Sequence, residues 1–366
     1  MNEFSLIEDQ RYILLQILNC IDSQKPDALL IAGDIYDKGI PSVEAVDLFD
    51  EFLRLLSQKK IPVFIISGNH DSPERMSCGS SLMETSGFYF SKPYNGKLGH
   101  YVLQDENGPV NIYLMPFIKP AVVKACFPDE ADKITSYTDA VKLAIEKAQI
   151  NYQERNVLIA HQFVTGSERC DSEELTIGGL DNVDASVFNG FDYVALGHLH
   201  GAQKCGSEKI QYSGSPLKYS FSEVNHKKGG FIIELGKKGE LQIEKVLFEP
   251  KHDVREIKGT YEELTFKPNY EKTVVEDYLH ITLTDEEEIP EGFGRLQLIY
   301  KNLVKLDYDN ARTRAADKVD DAVDVEGTAP LDLFEQFYEK LNGSGFSAVQ
   351  KVFVQELIEK IWEGEK

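Results

Sequence analysis

ALLIAGDIYD (Ala28–Asp37) sets an uninterrupted apolar run directly against a glycine and two carboxylates. The run Ala28 to Ala32 suits a strand buried on both faces, where the usual apolar–polar alternation is lost. The same grammar recurs along the chain. IPVFII (Ile61–Ile66) leads into SGNHD, NVLIA (Asn156–Ala160) leads into His161, and YVAL (Tyr193–Leu196) leads into GHLH (Gly197–His200). Four buried-type strands thus end in polar residues able to bind a metal. In layered α/β folds functional groups gather beyond the carboxyl ends of strands, so this regularity points to a site as well as to a fold.

Helical patterns fill the spaces between. Ile13, Leu14, Ile17, Leu18 and Ile21 recur at helical spacing and Pro26 follows as a stop. Pro41 opens a second helical stretch to about Leu56, with Val43, Val46, Phe49, Leu53 and Leu56 on its apolar side. Gly230–Leu235 and Leu241–Leu247 read as strands that complete a sheet. The expected architecture is α/β: a two-sheet sandwich flanked by helices over residues 1–250. A small α+β unit is expected over 253–315, with a strand at Tyr278–Leu283 and a helix over 294–303. Residues 316–328 (ADKVDDAVDVEGT) read as an acidic linker. Residues 329–366 read as a helical segment, with helices over about 331–341 and 347–363. Their apolar residues either pack together or dock a partner.

Composition bounds the function. At 366 residues, 42% hydrophobic and 27% charged, the chain holds two or three domains with packed cores. No apolar run reaches membrane-spanning length and no secretory signal is visible, so no membrane association is expected. Five scattered cysteines without CxxC spacing read as free thiols in a reducing cytoplasm. The net charge of −22 argues against a protein that coats nucleic acid generally. Residues 253–366 carry 26 acidic and 14 basic side chains, a net of −12, so a phosphate-binding face belongs to the first 252 residues.

The strand-end residues carry chemistry when taken together. Hydrolysing a phosphodiester requires neutralising phosphoryl charge, making a hydroxide near neutral pH and supporting the leaving oxygen; two metals roughly 3.5–4 Å apart do all three. Asp34 offers two oxygens and is the natural bridge. Asn69 offers a neutral carbonyl, and His161, His198 and His200 offer imidazole nitrogens. Such a set suits Mn, Fe or Zn over Ca. In extended structure His198 and His200 would point the same way, separated enough to serve adjacent metals. His70 would turn away from Asn69 and serve better as an acid, with Asp37 accepting its second N–H. His100, His226, His252 and His280 lack such a context and read as structural or surface residues.

GDIYD, GNHD, a lone His161 and GHLH in this order resemble the calcineurin-like metallophosphoesterases. IEDQRYIL, ALLIAGDIYDKGIPSVEAV, GNHDSPER, NHKKGG and above all YSGSPLKYSFSE (Tyr212–Glu223) are similar to SbcD, the family of nuclease subunits of bacterial SbcC–SbcD complexes. The resemblance implies two divalent metals, Mn foremost: Asp34 bridging, Asn69, His161 and His198 completing one site, and His200 serving the other. His70 would be the catalytic histidine. It also implies exonuclease action on double-stranded DNA ends and endonuclease action at hairpins, in repair, recombination and replication. An SbcC-type ATPase would be the partner, with a homodimer of the nuclease inside a heterotetramer. Arg75, in the loop after GNHD, and Lys218 are candidate DNA-phosphate contacts, with an ordinary solvated charge the alternative reading for each.

The family opens with a strand and a DxHLG motif, and this chain begins beyond that point. Glu8 and Asp9 sit at a helix start, where the helix dipole accounts for them. The second metal site is therefore expected to be incomplete and the sheet to lack a strand. The sequence would then be a mis-assigned start or shortened form of an active enzyme, or a fragment with little activity. The alternatives are a phosphoesterase acting on nucleotides or phosphoproteins, and a catalytically impaired scaffold subunit.

Overall fold

The computed structural model describes residues 4–165, 167, 182–316, 330–342 and 345–363. The chain divides into two compact units, one ending at Asp253 and one starting at Val254.

In the first unit, β1 (Leu29–Ile31), β2 (Val63–Ile65) and β3 (Phe88–Phe90) form a parallel sheet with β2 in the middle. β4 (Gly99–Asp105) and β5 (Gly108–Met115) make a hairpin that the sequence reading did not reach. β6 (Arg155–His161) pairs parallel with β5, and a small parallel pair follows from β7 (Phe163–Val164) and β8 (Asn182–Val183). β9 (Tyr193–Gly197), β10 (Gln203–Cys205) and β11 (Ser207–Tyr212) complete a six-stranded sheet of order β10-β11-β9-β6-β5-β4. β12 (Gly229–Leu235) and β13 (Leu241–Leu247) pair antiparallel as a sheet of their own.

Strand alternation builds the layers. Phe64 and Ile66 face Ile112, Leu114, Val157, Ile159 and Tyr193, forming the apolar seam between the two larger sheets, which Ile233 and Ile243 also join. Val63 and Ile65 point the other way, onto Leu18, Ile21, Phe52 and Leu56 of helices Ile7–Gln24 and Val43–Ser57. Met115, Leu158, Ala160, Val194 and Leu196 face Ala140, Val141, Leu143 and Ala144 of helix Tyr137–Lys147. The result is helix, sheet, sheet, helix: the expected two-sheet α/β sandwich.

Both early helices run as their periodicity predicts. Lys25 closes the first in a left-handed conformation, and Ser42 caps the second by accepting from Ala45 N–H. β1 is a correction: its residues are only partly buried, and it pairs on one side only, with β2. Strands buried on both faces and paired on both edges are β2 and β6.

In the second unit, β14 (Val254–Gly259), β15 (Tyr278–Leu283) and β16 (Leu303–Tyr308) form a parallel sheet with β15 central, over a core of Leu279, Ile281, Leu283, Leu296 and Leu303. The helix expected over 294–303 is shorter and earlier, Gly292–Gln297. Tyr300 and Leu303 are instead buried in that core, and Leu303 begins β16 with its N–H on Tyr300 O. Helices Pro330–Asn342 and Ala348–Glu363 follow. Of the stretch 316–328, all but Ala316 lies outside the described residues, as does Cys170. Cys20, Cys78, Cys126 and Cys205 are free thiols. Among the described residues no helix is long and apolar enough to cross a membrane.

Candidate metal centre

The turn after β1 places Asp34 at φ 47°, a left-handed conformation uncommon outside glycine. The Asp71 carboxylate holds that turn, accepting Ile35 N–H at 3.1 Å, Tyr36 N–H at 3.0 Å and Gly68 N–H at 2.9 Å. The last residue of GNHD therefore fastens the GDIYD loop to its own. Burial raises the Asp71 carboxyl above its ordinary value, and the N–H groups and the Asp34 charge pull it in opposite directions. The sequence reading assigned Asp71 no role, although its place in GNHD was visible.

Asp34 Oδ1 accepts His70 N–H at 3.1 Å, and Oδ2 lies 3.0 Å from His161 Nε2. His161 ends β6 at 1% exposure, its Nδ1–H donated to Ala32 O at 2.7 Å. A carbonyl can only accept, so the bond fixes which ring nitrogen faces the site. Asn69 Oδ1 lies 3.0 Å from His161 Nε2 and 2.9 Å from His198 Nδ1. His198 follows Gly197, the last residue of β9, at φ 104°. Two close approaches require glycine. A Cβ at Gly68 would fall 2.0 Å from Asp34 Oδ1, and one at Gly197 would fall 1.8 Å from Ala32 O and 2.7 Å from His161 Nδ1.

Burial would raise the Asp34 carboxyl, but the His161 charge, its hydrogen bond and the His70 N–H outweigh it and hold Asp34 below the ordinary value. Burial would lower His161; the Asp34 charge and hydrogen bond and the Ala32 carbonyl outweigh that and raise it. A carboxylate oxygen, an amide oxygen and two imidazole nitrogens converge, an arrangement of lone pairs that fits a divalent cation. Among the described residues, Asp34, His161 and His198 form the His, Cys, Asp and Glu group whose ligand atoms all lie within 4.8 Å of one another.

The other expected site residues fall around this centre with two corrections. His198 and His200 do not share an extended segment: β9 ends at Gly197 and His198 is left-handed, so strand alternation does not apply. His200 is outside the close group, with Nδ1 at 3.2 Å from Glu223 Oε1 and its ring against Tyr219. Lys218, expected at a DNA phosphate, is largely buried and ion-paired with Asp253 at 2.9 Å, so its charge is already neutralised. His70 Nδ1 lies 3.0 Å from the backbone oxygen of Asp37, the residue expected to orient it. Arg75 is exposed and donates to Gly39 O at 3.0 Å, beside the same loop.

The remaining histidines have structural partners. His100 Nε2 meets Asn111 Oδ1 at 2.8 Å, and His252 Nδ1 meets the buried Asp9 carboxylate at 3.0 Å. His280 lies between Glu256 and Asp307 on the second unit's sheet, and His226 packs against Gly201.

Two family models match. The calcineurin-like phosphoesterase model covers residues 7–202, and the model described as type 5 capsule protein repressor C-terminal domain covers residues 250–342. A Staphylococcus epidermidis protein, named as the SbcD subunit of the SbcCD nuclease, is 32% identical over all of this chain and 96% of its own length. A Staphylococcus saprophyticus protein of the same name is 31% identical over 99% of this chain and 95% of its own length. A solved structure from Thermus thermophilus covers 65% of this chain and 94% of its own, at 11% identity and a TM-score of 0.37. With the phosphoesterase model spanning more than half of it and full-length relatives above 30% identity, the chain belongs to the calcineurin-like phosphoesterases, metal-dependent hydrolases, and within them to the SbcD nucleases of SbcCD.

Proposed function

We propose that this chain cleaves phosphodiester bonds of DNA in repair, with divalent metals, Mn foremost, held at the loops beyond β1, β2, β6 and β9. The observation that carries the reading is the convergence of Asp34 Oδ2, Asn69 Oδ1, His161 Nε2 and His198 Nδ1. In this reading Asp34, Asn69, His161 and His198 would hold one ion, and Asp34 with His200 would hold the other. Bound metals would supply charge neutralisation and a hydroxide near neutral pH. The chain's own groups set the geometry. Asp71 and Gly68 hold Asp34 in place, and Ala32 O orients His161. His70, held by Asp37 O, stands as the acid for the leaving oxygen. Arg75 is the remaining DNA-phosphate contact.

The expected division follows: 1–250 as nuclease domain, 253–315 as capping domain, 316–328 as linker and 329–366 as the segment that binds an SbcC-type ATPase. A cytoplasmic homodimer within a heterotetramer completes the reading. The test compares Mn-dependent turnover of hairpin and linear duplex DNA with that of a small phosphodiester. Cleavage of DNA, lost in Asp34→Asn and His198→Ala, is expected; activity confined to the small ester would replace DNA by a nucleotide substrate.

A further inference from the structure

GHLH and SGSPLKYSFSE meet in a buried polar cluster to which no role has been given. Glu223, at 0% exposure, sits on the short helical turn Phe221–Glu223. Its Oε1 accepts the Tyr219 N–H at 3.2 Å and the Ser220 hydroxyl at 3.3 Å, and faces His200 Nδ1 at 3.2 Å. Its Oε2 is ion-paired with the buried Lys228 ammonium. Lys228 Nζ also donates to His200 O and to Ser215 Oγ, each at 2.8 Å. Ser215 N–H in turn reaches His200 O at 3.2 Å.

A carboxylate buried this deeply is tolerated when a cation and donors satisfy it. Lys228 has three N–H bonds and three acceptors, so its orientation is determined. Glu223 Oε1 already gathers two donors, and the third group facing it is an imidazole nitrogen. We infer that Glu223 and Lys228 are positioning residues for His200: Glu223 fixes the tautomer that carries the proton on Nδ1 and leaves the Nε2 lone pair for a metal. Lys228 ties the His200 backbone to the Ser215 turn. Partners of this kind set ligand orientation and basicity at metal sites. The inference rests on the reading of His200 as a ligand.

Nitrogen-15 histidine spectra of the metal-free protein test it first, with His200→Ala assigning the resonance. The tautomer with the proton on Nδ1 is expected for His200, and the Nε2-protonated tautomer in the unaltered chain overturns the proposal. In Glu223→Gln the Lys228 ammonium claims the amide oxygen, leaving the amide NH2 toward His200. The tautomer should then invert, and Mn affinity of the weaker site by calorimetry should fall about 10–100-fold. An unchanged tautomer, or an inverted one with unchanged Mn affinity, overturns the proposal. Mn stoichiometry unaltered in His200→Ala would instead sink the ligand assignment while the tautomer result stood.

Discussion

Asp34 at φ 47° and His198 at φ 104° place two proposed metal-site residues in backbone regions that cost on the order of 1–3 kcal/mol each. The surroundings impose this geometry: Asp71 grips three N–H groups of the two facing loops, and Gly68 leaves no room for a side chain beside Asp34. Gly68→Ala is therefore expected to cost about 3 kcal/mol in urea unfolding and to lose Mn binding, since its Cβ lands on both the Asp34 carboxylate and the Asp34 N atom. The His161–Asp34 pair gives a second expectation. His161 is raised above 6.5, so its contribution to metal-free stability is full below 6.5 and disappears as pH rises through the raised folded value. Asp34 is lowered below 3.8, so its contribution is present above 3.8 and is lost as pH falls through the depressed folded value. A metal must displace the His161 proton. Calorimetry in buffers of different ionisation enthalpy should show proton release on Mn binding below the His161 value and weaker affinity as pH falls. Affinity independent of pH across that range would remove His161 from the ligand set.

Strands and helices show which parts of this geometry the sequence displays. Continuous apolar runs mark β2, β6 and β9, and the polar residues that follow them are the ones delivered to the centre, so Asn69, His161 and His198 were readable from position alone. The hydrogen bonds that orient His161 and His70 were not, because Ala32 O and Asp37 O are backbone atoms without a residue signature. Lys218 departs for the complementary reason: between Leu217 and Tyr219 it carries no mark of its partner, and only the fold brings Asp253 to it. The helix expected over 294–303 failed at Leu303, whose apolar character serves a strand as well as a helix. Helix Tyr137–Lys147 carries a reciprocal cap, Ser136 accepting Asp139 N–H at 3.1 Å and Asp139 accepting Ser136 N–H at 3.0 Å. Its buried face packs on the six-stranded sheet, so the start of this helix fixes a wall of the core. Ser136→Ala is expected to lower the stability of the first unit by about 1 kcal/mol without altering Mn affinity, read by urea unfolding with calorimetry beside it.

Across the whole molecule, charge and apolar surface are distributed unequally. Residues 253–366 carry a net −12 of the total −22, which disfavours them as a DNA-binding surface and accords with the proposal that DNA meets the first unit, where the candidate metal centre lies. The two last helices meet through the Lys351–Glu335 ion pair and the Gln350 amide donating to the Tyr338 hydroxyl, and Phe346, just before the second helix, contacts Phe334 and Tyr338 of the first. That contact does not consume their apolar faces: Val349 is 80% exposed and Phe353 62%, with Phe337, Val352 and Leu357 also open. Packing of the pair alone thus leaves a set of large exposed side chains that favours the partner-binding reading. Deleting residues 330–366 is expected to abolish association with an SbcC-type ATPase in sedimentation while metal binding and basal phosphodiester cleavage persist. Val349→Asp with Phe353→Asp should weaken association at least tenfold without altering thermal unfolding of the first unit. Retained association in both variants would place the partner surface elsewhere in the chain.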